Sequence, residues 1–201
     1  MTPITLTLKP GTIVVFEGLD KAGKSTQLAR IKKSLDPAGT TYAHMPSAFS
    51  DFTAGLYALL EDKTTAPTGS LARQLAHVAC HSEAMPALVE TARRGALVLD
   101  RWWWSALAYG WYGRGESDLG LDENTFRALI DAIWTPIHAD AVFLFLHAYA
   151  QDDNNVDGVA TGYQTIAEQS PATVVQVPAM SEDATHEFLL EELKRLDLVV
   201  G

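Results

Sequence analysis

The chain has 201 residues, of which 47% are hydrophobic and 20% charged, and its 25 acidic and 15 basic residues give a formal net charge of −10. This length and composition are typical of one globular domain, predicted to span residues 1–201. No segment approaches the roughly 18 continuous apolar residues of a membrane helix, no secretory signal is apparent, and Cys80 is the only cysteine. We therefore expect a cytoplasmic protein without a membrane interface, and its acidity argues against a broad nucleic-acid interface.

Apolar, β-rich runs alternate with helical patterns along the chain. Several runs are continuously apolar, as expected of parallel strands buried on both faces, so an α/β layered sheet is predicted. The predicted strands are Thr12–Gly18, Thr41–Met45, Ala96–Asp100, Ala141–Leu146 and Thr173–Val177. The predicted helices are Lys24–Leu35, Ser70–Arg94, one capped by Asp122 and ending near Thr135, and one capped by Ser181 and ending near Leu196. We also expect a short edge strand at "ITLTL" (4–8) and a polar loop at Gln151–Gly162.

The first long strand leads into a phosphate-binding motif. Gly18, Gly23, Lys24 and Ser25 match G-x-x-x-x-G-K-[ST], with a strand before and a helix after. The glycines allow backbone N–H groups to turn inward, Lys24 can reach the β- and γ-phosphates of ATP, and the Ser25 hydroxyl can ligate Mg²⁺. The alternative is a surface turn with exposed lysines. The predicted nucleotide-binding residues are Gly18, Ala22, Gly23, Lys24, Ser25 and Thr26.

A second lysine, Lys21, lies within the same loop. A cation at this position can face the γ-phosphate and offset the charge that develops during its transfer. The alternative is a solvated side chain.

Three segments, in the same order along the chain, resemble motifs of the thymidylate kinases. "FEGLDKAGKSTQ" (Phe16–Gln27) resembles their phosphate loop, and "VLDRWWWSALAYG" (Val98–Gly110) resembles their Asp-Arg motif at a strand end. "GYQTIAEQ" (Gly162–Gln169) resembles the helix after their lid, whose tyrosine is here Tyr163. The resemblance implies a three-layer P-loop NTPase fold with a five-stranded parallel sheet flanked by helices. It also implies a kinase that transfers phosphate from ATP to dTMP, often as a homodimer.

The resemblance assigns roles to five further residues. Asp20 matches a carboxylate near the sugar 3′-hydroxyl and the reacting phosphates, and Asp100 can bind Mg²⁺ or its water. Arg101 matches an arginine that holds phosphate oxygens, while Ser105 and Tyr109 match positions that face the acceptor nucleoside. The alternatives are a helix-starting Asp with a surface Arg, and simple core packing of Tyr109. Tyr163 joins the predicted acceptor site, and Lys24, Lys21, Asp20 and Arg101 are the predicted catalytic residues.

Two departures from the family's pattern concern the acceptor. No arginine follows Pro46, where the family commonly grips the acceptor phosphate. Counting back from Pro86 without gaps, the family's base-stacking Phe and base-reading Arg are replaced by His77 and His81, with Arg73 one turn earlier. Imidazoles pair with a base differently, so a related or modified deoxynucleotide is an expected acceptor. The spacing also allows Zn²⁺ binding or two ordinary, partly buried histidines.

A third departure is the lid. Residues 147–162 form a short, acidic interval without lysine or arginine, where the family has an arginine-bearing lid. In one branch of the family a basic residue in the phosphate loop replaces the lid arginine, and Lys21 lies at that position. Lys21 is therefore expected to supply the missing charge.

Three consecutive tryptophans, Trp102–Trp104, follow the Asp-Arg motif. Neighbouring helical positions diverge by about 100°, so the three rings are not expected to share a face. Core packing, the acceptor pocket and a partner subunit are the environments considered for them.

The predicted function is ATP- and Mg²⁺-dependent phosphorylation of dTMP or a related deoxynucleoside monophosphate, by a homodimer that binds no membrane. Two alternatives stay open: a P-loop kinase acting on a modified base in DNA, and a non-catalytic nucleotide-binding protein.

Overall fold

The computed structural model describes residues 6–201, with only the backbone described at positions 116 and 117. The strands are β1 Thr7–Leu8, β2 Ile13–Gly18, β3 Thr40–His44, β4 Ala96–Asp100, β5 Ala141–Phe145, β6 Thr173–Val177 and β7 Val199–Val200. The helices are α1 Lys24–Ser34, α2 Asp51–Glu61, α3 Ser70–Arg94, α4 Trp103–Leu107, α5 Glu116–Leu119, α6 Glu123–Trp134, α7 Asp157–Gln169 and α8 Glu182–Arg195. A π-helical turn, Ala108–Tyr112, follows α4 directly.

A five-stranded parallel sheet in the order β3-β4-β2-β5-β6 forms the centre of the fold. Every residue of β2 and β5 is buried, which explains why these strands are almost continuously apolar. The predicted five-stranded parallel sheet is confirmed. Because parallel strands present their carboxyl ends at one edge, the segments after β2 and β4 converge there.

The predicted edge strand at residues 4–8 does not join this sheet. Thr7–Leu8 pairs antiparallel with Val199–Val200 in a separate two-stranded sheet. Residues 4 and 5 lie outside the described part of the chain. The short N-terminal strand therefore fixes the end of the chain after α8.

The four predicted helices are confirmed, and their capping residues act as expected. The Asp122 side chain accepts a hydrogen bond from the Thr125 N–H at 3.0 Å, and the Ser181 side chain accepts one from the Ala184 N–H at 3.3 Å. Each bond satisfies an N–H group that has no partner within its helix.

The polar loop predicted at 151–162 is shorter than expected, because α7 begins at Asp157. Two residues of this helix are glycines, Gly158 and Gly162, which are more typical of loops than of helices. Both glycines permit close helix packing: a Cβ at Gly162 would lie 2.6 Å from Tyr112, and a Cβ at Gly158 would collide with the Tyr112 carbonyl. Burial of Val159 and Ile166 against the core then stabilises the helix.

The three tryptophan rings contact one another but do not share one environment. Trp102 precedes α4 with extended backbone, at φ −141°, so the helical 100° rule does not apply to it. Its ring lies 6.1 Å from that of Trp104 and 5.5 Å from that of Trp103. Trp104 is buried in the core and Trp103 packs against it, whereas Trp102 is buried and also lines the larger of the two cavities described below.

Candidate active site

The phosphate loop connects β2 to α1 and contains two glycines in the left-handed region. Gly18 has φ 126°, and a Cβ there would collide with the Phe145 backbone. Gly23 has φ 88° and caps α1. The loop has the conformation that the motif predicts, with its glycines where side chains would be strained.

Lys24 is buried beneath this loop, with 5% of its surface exposed. Its Nζ donates hydrogen bonds to the carbonyl oxygens of Gly18 at 2.9 Å and Leu19 at 2.5 Å. Burial, together with the charge of Arg101, lowers the pKa of Lys24 to about 8. The ammonium therefore stays mostly protonated at neutral pH and is held at the centre of the loop.

Lys21 adopts the left-handed conformation although it is not glycine, with φ 59°. Its carbonyl accepts a hydrogen bond from the Tyr149 N–H at 3.0 Å. Its side chain is exposed and lines both of the cavities described below. The backbone conformation is costly for a residue with a side chain, which indicates that the side chain has a use here.

Asp20 and Arg101 form an ion pair between the phosphate loop and the end of β4. Arg101 is also left-handed, with φ 71°, and its Nη1 donates to the Ser105 Oγ at 2.9 Å. Its guanidinium lies 5.4 Å from the centre of the Tyr109 ring. Burial lowers the pKa of Arg101, but Tyr163, Asp20 and other neighbours more than compensate and raise it, so the group stays charged.

Glu17 is a buried carboxylate that the sequence analysis missed. It accepts hydrogen bonds from the Trp102 N–H at 2.7 Å, the Ser105 N–H at 3.0 Å and the Ser105 Oγ at 2.7 Å. Burial raises the pKa of Glu17, while these donors and Arg101 oppose that shift. The side chain thus links β2 to the segment that carries Arg101. The sequence feature that could have indicated this role is a charged residue within the apolar run "IVVFEG".

Two cavities meet at the phosphate loop. The larger is a cleft of about 1360 Å³ and the smaller a pocket of about 450 Å³. Residues 21–23 and Thr26 line both cavities. The smaller pocket is walled mainly by apolar and aromatic residues, among them Phe145, His147, Tyr149, Val177 and Met180.

Tyr149, which the sequence analysis also missed, closes one side of the smaller pocket. Its hydroxyl donates to the Met180 carbonyl at 2.8 Å and accepts from the Met180 N–H at 3.2 Å. The side chain therefore links the segment after β5 to the segment after β6.

The histidines predicted for the acceptor line the larger cleft. The His77 ring lies 6.1 Å from Tyr57, whose ring lies 5.5 Å from His44. His81 is buried against Trp134, with a ring separation of 5.3 Å, and its Nδ1 has no hydrogen-bond partner. Burial lowers the pKa of His77 to about 4 and that of His81 to about 3, so both are neutral near pH 7.

These shifts predict that acid destabilises the fold. A histidine whose pKa is lower in the folded chain leaves the unfolding free energy at its full value above pH 6.5, where it is neutral in both states. As the pH falls from 6.5 towards the pKa of the folded chain, the unfolded chain binds the proton first and the unfolding free energy decreases. We expect His81 to account for about 2 kcal/mol of the fall in unfolding free energy from pH 7 to pH 5. Urea unfolding should show that much less pH dependence in His81→Gln, and His138→Gln, at an exposed position, is the control. An equal fall in wild type and His81→Gln would contradict the assignment.

The zinc alternative finds no support among residues 6–201. Apart from Glu116, whose side chain is not described, no group of three or more His, Cys, Asp or Glu side chains there is arranged to hold a metal ion. His77 and His81 would therefore lack the third protein ligand of a zinc site.

Ser25 and Asp100 offer the oxygen ligands that Mg²⁺ prefers. Both line the larger cleft, Ser25 at the start of α1 and Asp100 at the end of β4. A hydroxyl and a carboxylate beside a phosphate loop fit a hydrated Mg²⁺ bound together with nucleotide phosphates.

Of the predicted acceptor residues, Tyr163 alone does not line the cleft. It is fully buried, and its hydroxyl donates to the Glu17 carboxylate at 3.0 Å. Its part is to support Glu17 and Ser105, because the latter lies 2.8 Å from the same hydroxyl. The other predicted acceptor residues all line the cleft: Asp20, His77, His81, Arg101, Ser105 and Tyr109.

Three further cations line the cleft, although no arginine follows Pro46. They are Lys63, Arg73 and Arg114. Arg73 also donates from Nη2 to the Leu60 carbonyl at 3.0 Å. The sequence alone gave no reason to place these side chains together, since they come from three separated segments.

The amino-acid sequence is similar to those of known proteins. A family model described as thymidylate kinase matches residues 16–145. A thymidylate kinase from Chlorobium chlorochromatii is 28% identical over 94% of this chain and 97% of its own length. One from Chlorobaculum parvum is 25% identical over 92% of this chain and 97% of its own length.

Solved structures share the fold. The thymidylate kinase of Candida albicans superposes with a TM-score of 0.71 at 18% identity, covering 96% of each chain. That of Ehrlichia chaffeensis gives a TM-score of 0.73 at 21% identity, covering 91% of this chain and 98% of the other. Both similarities support the three-layer P-loop architecture.

Proposed function

Because the chain belongs to the thymidylate kinase family, we propose that it transfers the γ-phosphoryl group of ATP to the 5′-phosphate of dTMP or a related deoxynucleoside monophosphate. The observation that carries this proposal is the phosphate loop shared by two cavities. A direct transfer needs donor and acceptor on either side of one phosphate-binding element. The nucleoside monophosphate kinases are phosphotransferases of this kind.

The donor nucleotide fits the smaller pocket. Its aromatic and apolar walls suit a nucleobase, and residues 21–26 continue from it into the larger cleft. The triphosphate would follow that segment, with loop N–H groups and the N-terminus of α1 facing its oxygens. Gly18, Ala22, Gly23, Lys24, Ser25 and Thr26 form this binding segment.

The acceptor fits the larger cleft, with its phosphate towards Arg101. Ser105 and Tyr109 lie beside that guanidinium, so in this arrangement they would face the sugar. His77, His81 and Tyr57 form the far wall, where the base would lie. Neutral imidazoles can donate and accept hydrogen bonds, so the base site suits thymine or a related base.

Charge neutralisation would supply most of the rate, since phosphoryl transfer requires little covalent chemistry from the protein. Lys24, Lys21 and Arg101 all line the larger cleft, and Lys21 lines the smaller pocket as well. Ser25 and Asp100 would hold the Mg²⁺, which would supply positive charge beside the phosphates. Lys21 would take the role of a lid arginine, because residues 147–156 contain no cation.

The test is a panel of acceptors with γ-labelled ATP and Mg²⁺. We expect label in dTMP, or in a related deoxynucleoside monophosphate, with kcat/KM at least about tenfold above that for the ribonucleotide UMP. Arg101 and Tyr109 pack together and would leave little room for a 2′-hydroxyl beside them, which is the physical reason. Arg94→Ala, an exposed change away from the cleft, is the control and should match wild type.

The other arms of the panel decide between the alternatives. Label only in a DNA oligomer carrying a modified base would replace this proposal with the DNA kinase, for which the large cleft leaves room. ATP binding without transfer to any acceptor would indicate a non-catalytic nucleotide-binding protein.

Three other expectations stay predictions. They are a single domain over residues 1–201, a homodimer and a cytoplasmic location. Within residues 6–201 no helix is both long and apolar enough to cross a membrane.

A further inference from the structure

The segment between β5 and α7 makes hydrogen bonds to two consecutive residues of the phosphate loop, Asp20 and Lys21. We call residues 147–156 the clip loop. We propose that Asn155 of the clip loop is a positioning residue, which acts through the backbone of Asp20 to hold Lys21 for phosphoryl transfer. This inference rests on the proposed function, since Lys21 is given its catalytic role there.

The Asn155 amide pairs with both backbone groups of Asp20. Its Oδ1 accepts from the Asp20 N–H at 2.9 Å, and its Nδ2 donates to the Asp20 carbonyl at 2.8 Å. The Tyr109 hydroxyl accepts from the same N–H at 2.8 Å and donates to Oδ1 at 3.0 Å. Both polar ends of the side chain are therefore used on one residue of the phosphate loop.

These contacts fix the peptide groups on both sides of the Lys21 Cα. The Asp20 carbonyl belongs to the peptide before it, and Asn155 holds that peptide. The Lys21 carbonyl belongs to the peptide after it, and the Tyr149 N–H holds that one at 3.0 Å. With both peptide planes held, the φ of 59° at Lys21 is maintained although left-handed backbone is unfavourable for lysine.

The clip loop is itself held in place by hydrogen bonds within its turn and by the packing of the helix that follows it. The Asp152 side chain accepts from the Asn154 N–H at 3.0 Å and the Asp152 carbonyl accepts from the Asn155 N–H at 3.1 Å, which sets the turn. Directly after it, α7 packs against the π-helical turn through Gly158 and Gly162. Asn155 thus lies between this turn and a packed helix, and it does not itself line the cleft.

A positioning role differs from a purely structural one in how it depends on Lys21. If Asn155 acts by holding Lys21, removal of the amide should slow the chemical step and leave acceptor binding nearly unchanged. Once the Lys21 ammonium is absent, the amide should no longer matter for rate. If Asn155 had only a structural role, its removal would instead lower the rate by the same factor whether or not the Lys21 ammonium is present.

The experiment is a double-mutant cycle of Asn155→Ala and Lys21→Met, followed by steady-state kinetics and by a single-turnover assay of the chemical step. We expect Asn155→Ala alone to lower kcat and the single-turnover rate by about 10- to 100-fold and to change the acceptor KM by less than about threefold. In the Lys21→Met background, the further fall should be below about threefold. Asn124→Ala, at an exposed position on α6, is the matched control. Asn155→Ser replaces Asn155→Ala if the latter does not stay folded.

Hydrogen exchange gives a readout that does not require activity. A peptide covering residues 18–26 should exchange faster in Asn155→Ala than in wild type, since the Asp20 N–H loses one of its two acceptors and the Asp20 carbonyl loses its side-chain donor. Unchanged exchange, an unchanged k_cat, or an equal fall in both backgrounds would each overturn the inference. If wild type transfers no phosphate, the proposed function fails, and the exchange result still decides whether Asn155 holds the loop.

Discussion

Replacing Lys24 with methionine is expected to abolish measurable phosphoryl transfer, with a loss of at least about 10³-fold in k_cat/K_M. The Lys24 ammonium is the one cation of the loop that is buried beneath the phosphate site. Methionine keeps most of the side-chain volume but removes the charge that would contact the β- and γ-phosphates. Transfer from γ-labelled ATP, measured at saturating acceptor, checks this result.

The same substitution should leave the fold intact. The lowered pKa, about 8, corresponds to an unfavourable burial of the Lys24 charge of about 3 kcal/mol. Methionine removes that penalty while losing two hydrogen bonds to carbonyl oxygens, and these effects largely cancel. Thermal unfolding should therefore shift by only a few degrees. Lys33→Met, at an exposed position on α1, is the control. Retained transfer by a folded Lys24→Met would remove the proposed role.

The sequence predicted the sheet and the phosphate loop well because both depend on local patterns. Short continuous apolar runs such as Ala141–Leu146 suit the middle of a parallel sheet, where both faces of a strand are buried. Gly18 and Gly23 are required by backbone geometry at their own positions. Such features can be read from a short window of sequence.

The supporting contacts could not be predicted because they join distant segments. Glu17 and Ser105 are 88 positions apart, and Asn155 and Asp20 are 135 apart. No local pattern indicates that an asparagine in an acidic loop will pair with the phosphate loop. Similarly, the glycines of α7 suggested a loop until the close packing against Tyr112 was known.

Lys21→Gly is expected to separate activity from stability. Glycine adopts φ 59° without the steric cost that lysine incurs, roughly 1–2 kcal/mol. Its greater freedom in the unfolded chain offsets part of that gain, by roughly 0.5–1 kcal/mol. The melting temperature should therefore be unchanged or slightly higher. In contrast, kcat should fall by about 10²- to 10³-fold, because one cation facing the transferred phosphoryl group is lost.

Steady-state kinetics and thermal unfolding of three variants test this separation. Lys21→Gly should lose rate far more than ATP affinity, because charge develops on the phosphoryl group mainly in the transition state. Lys21→Arg keeps a cation and should recover most of the rate, and Lys32→Gly should cost stability because an exposed position inside α1 disfavours glycine. A large rise in the K_M for ATP with unchanged k_cat would mean that Lys21 only binds the nucleotide. A clear fall in melting temperature for Lys21→Gly would mean that its side chain was retained for folding, because the left-handed backbone at this position otherwise favours glycine.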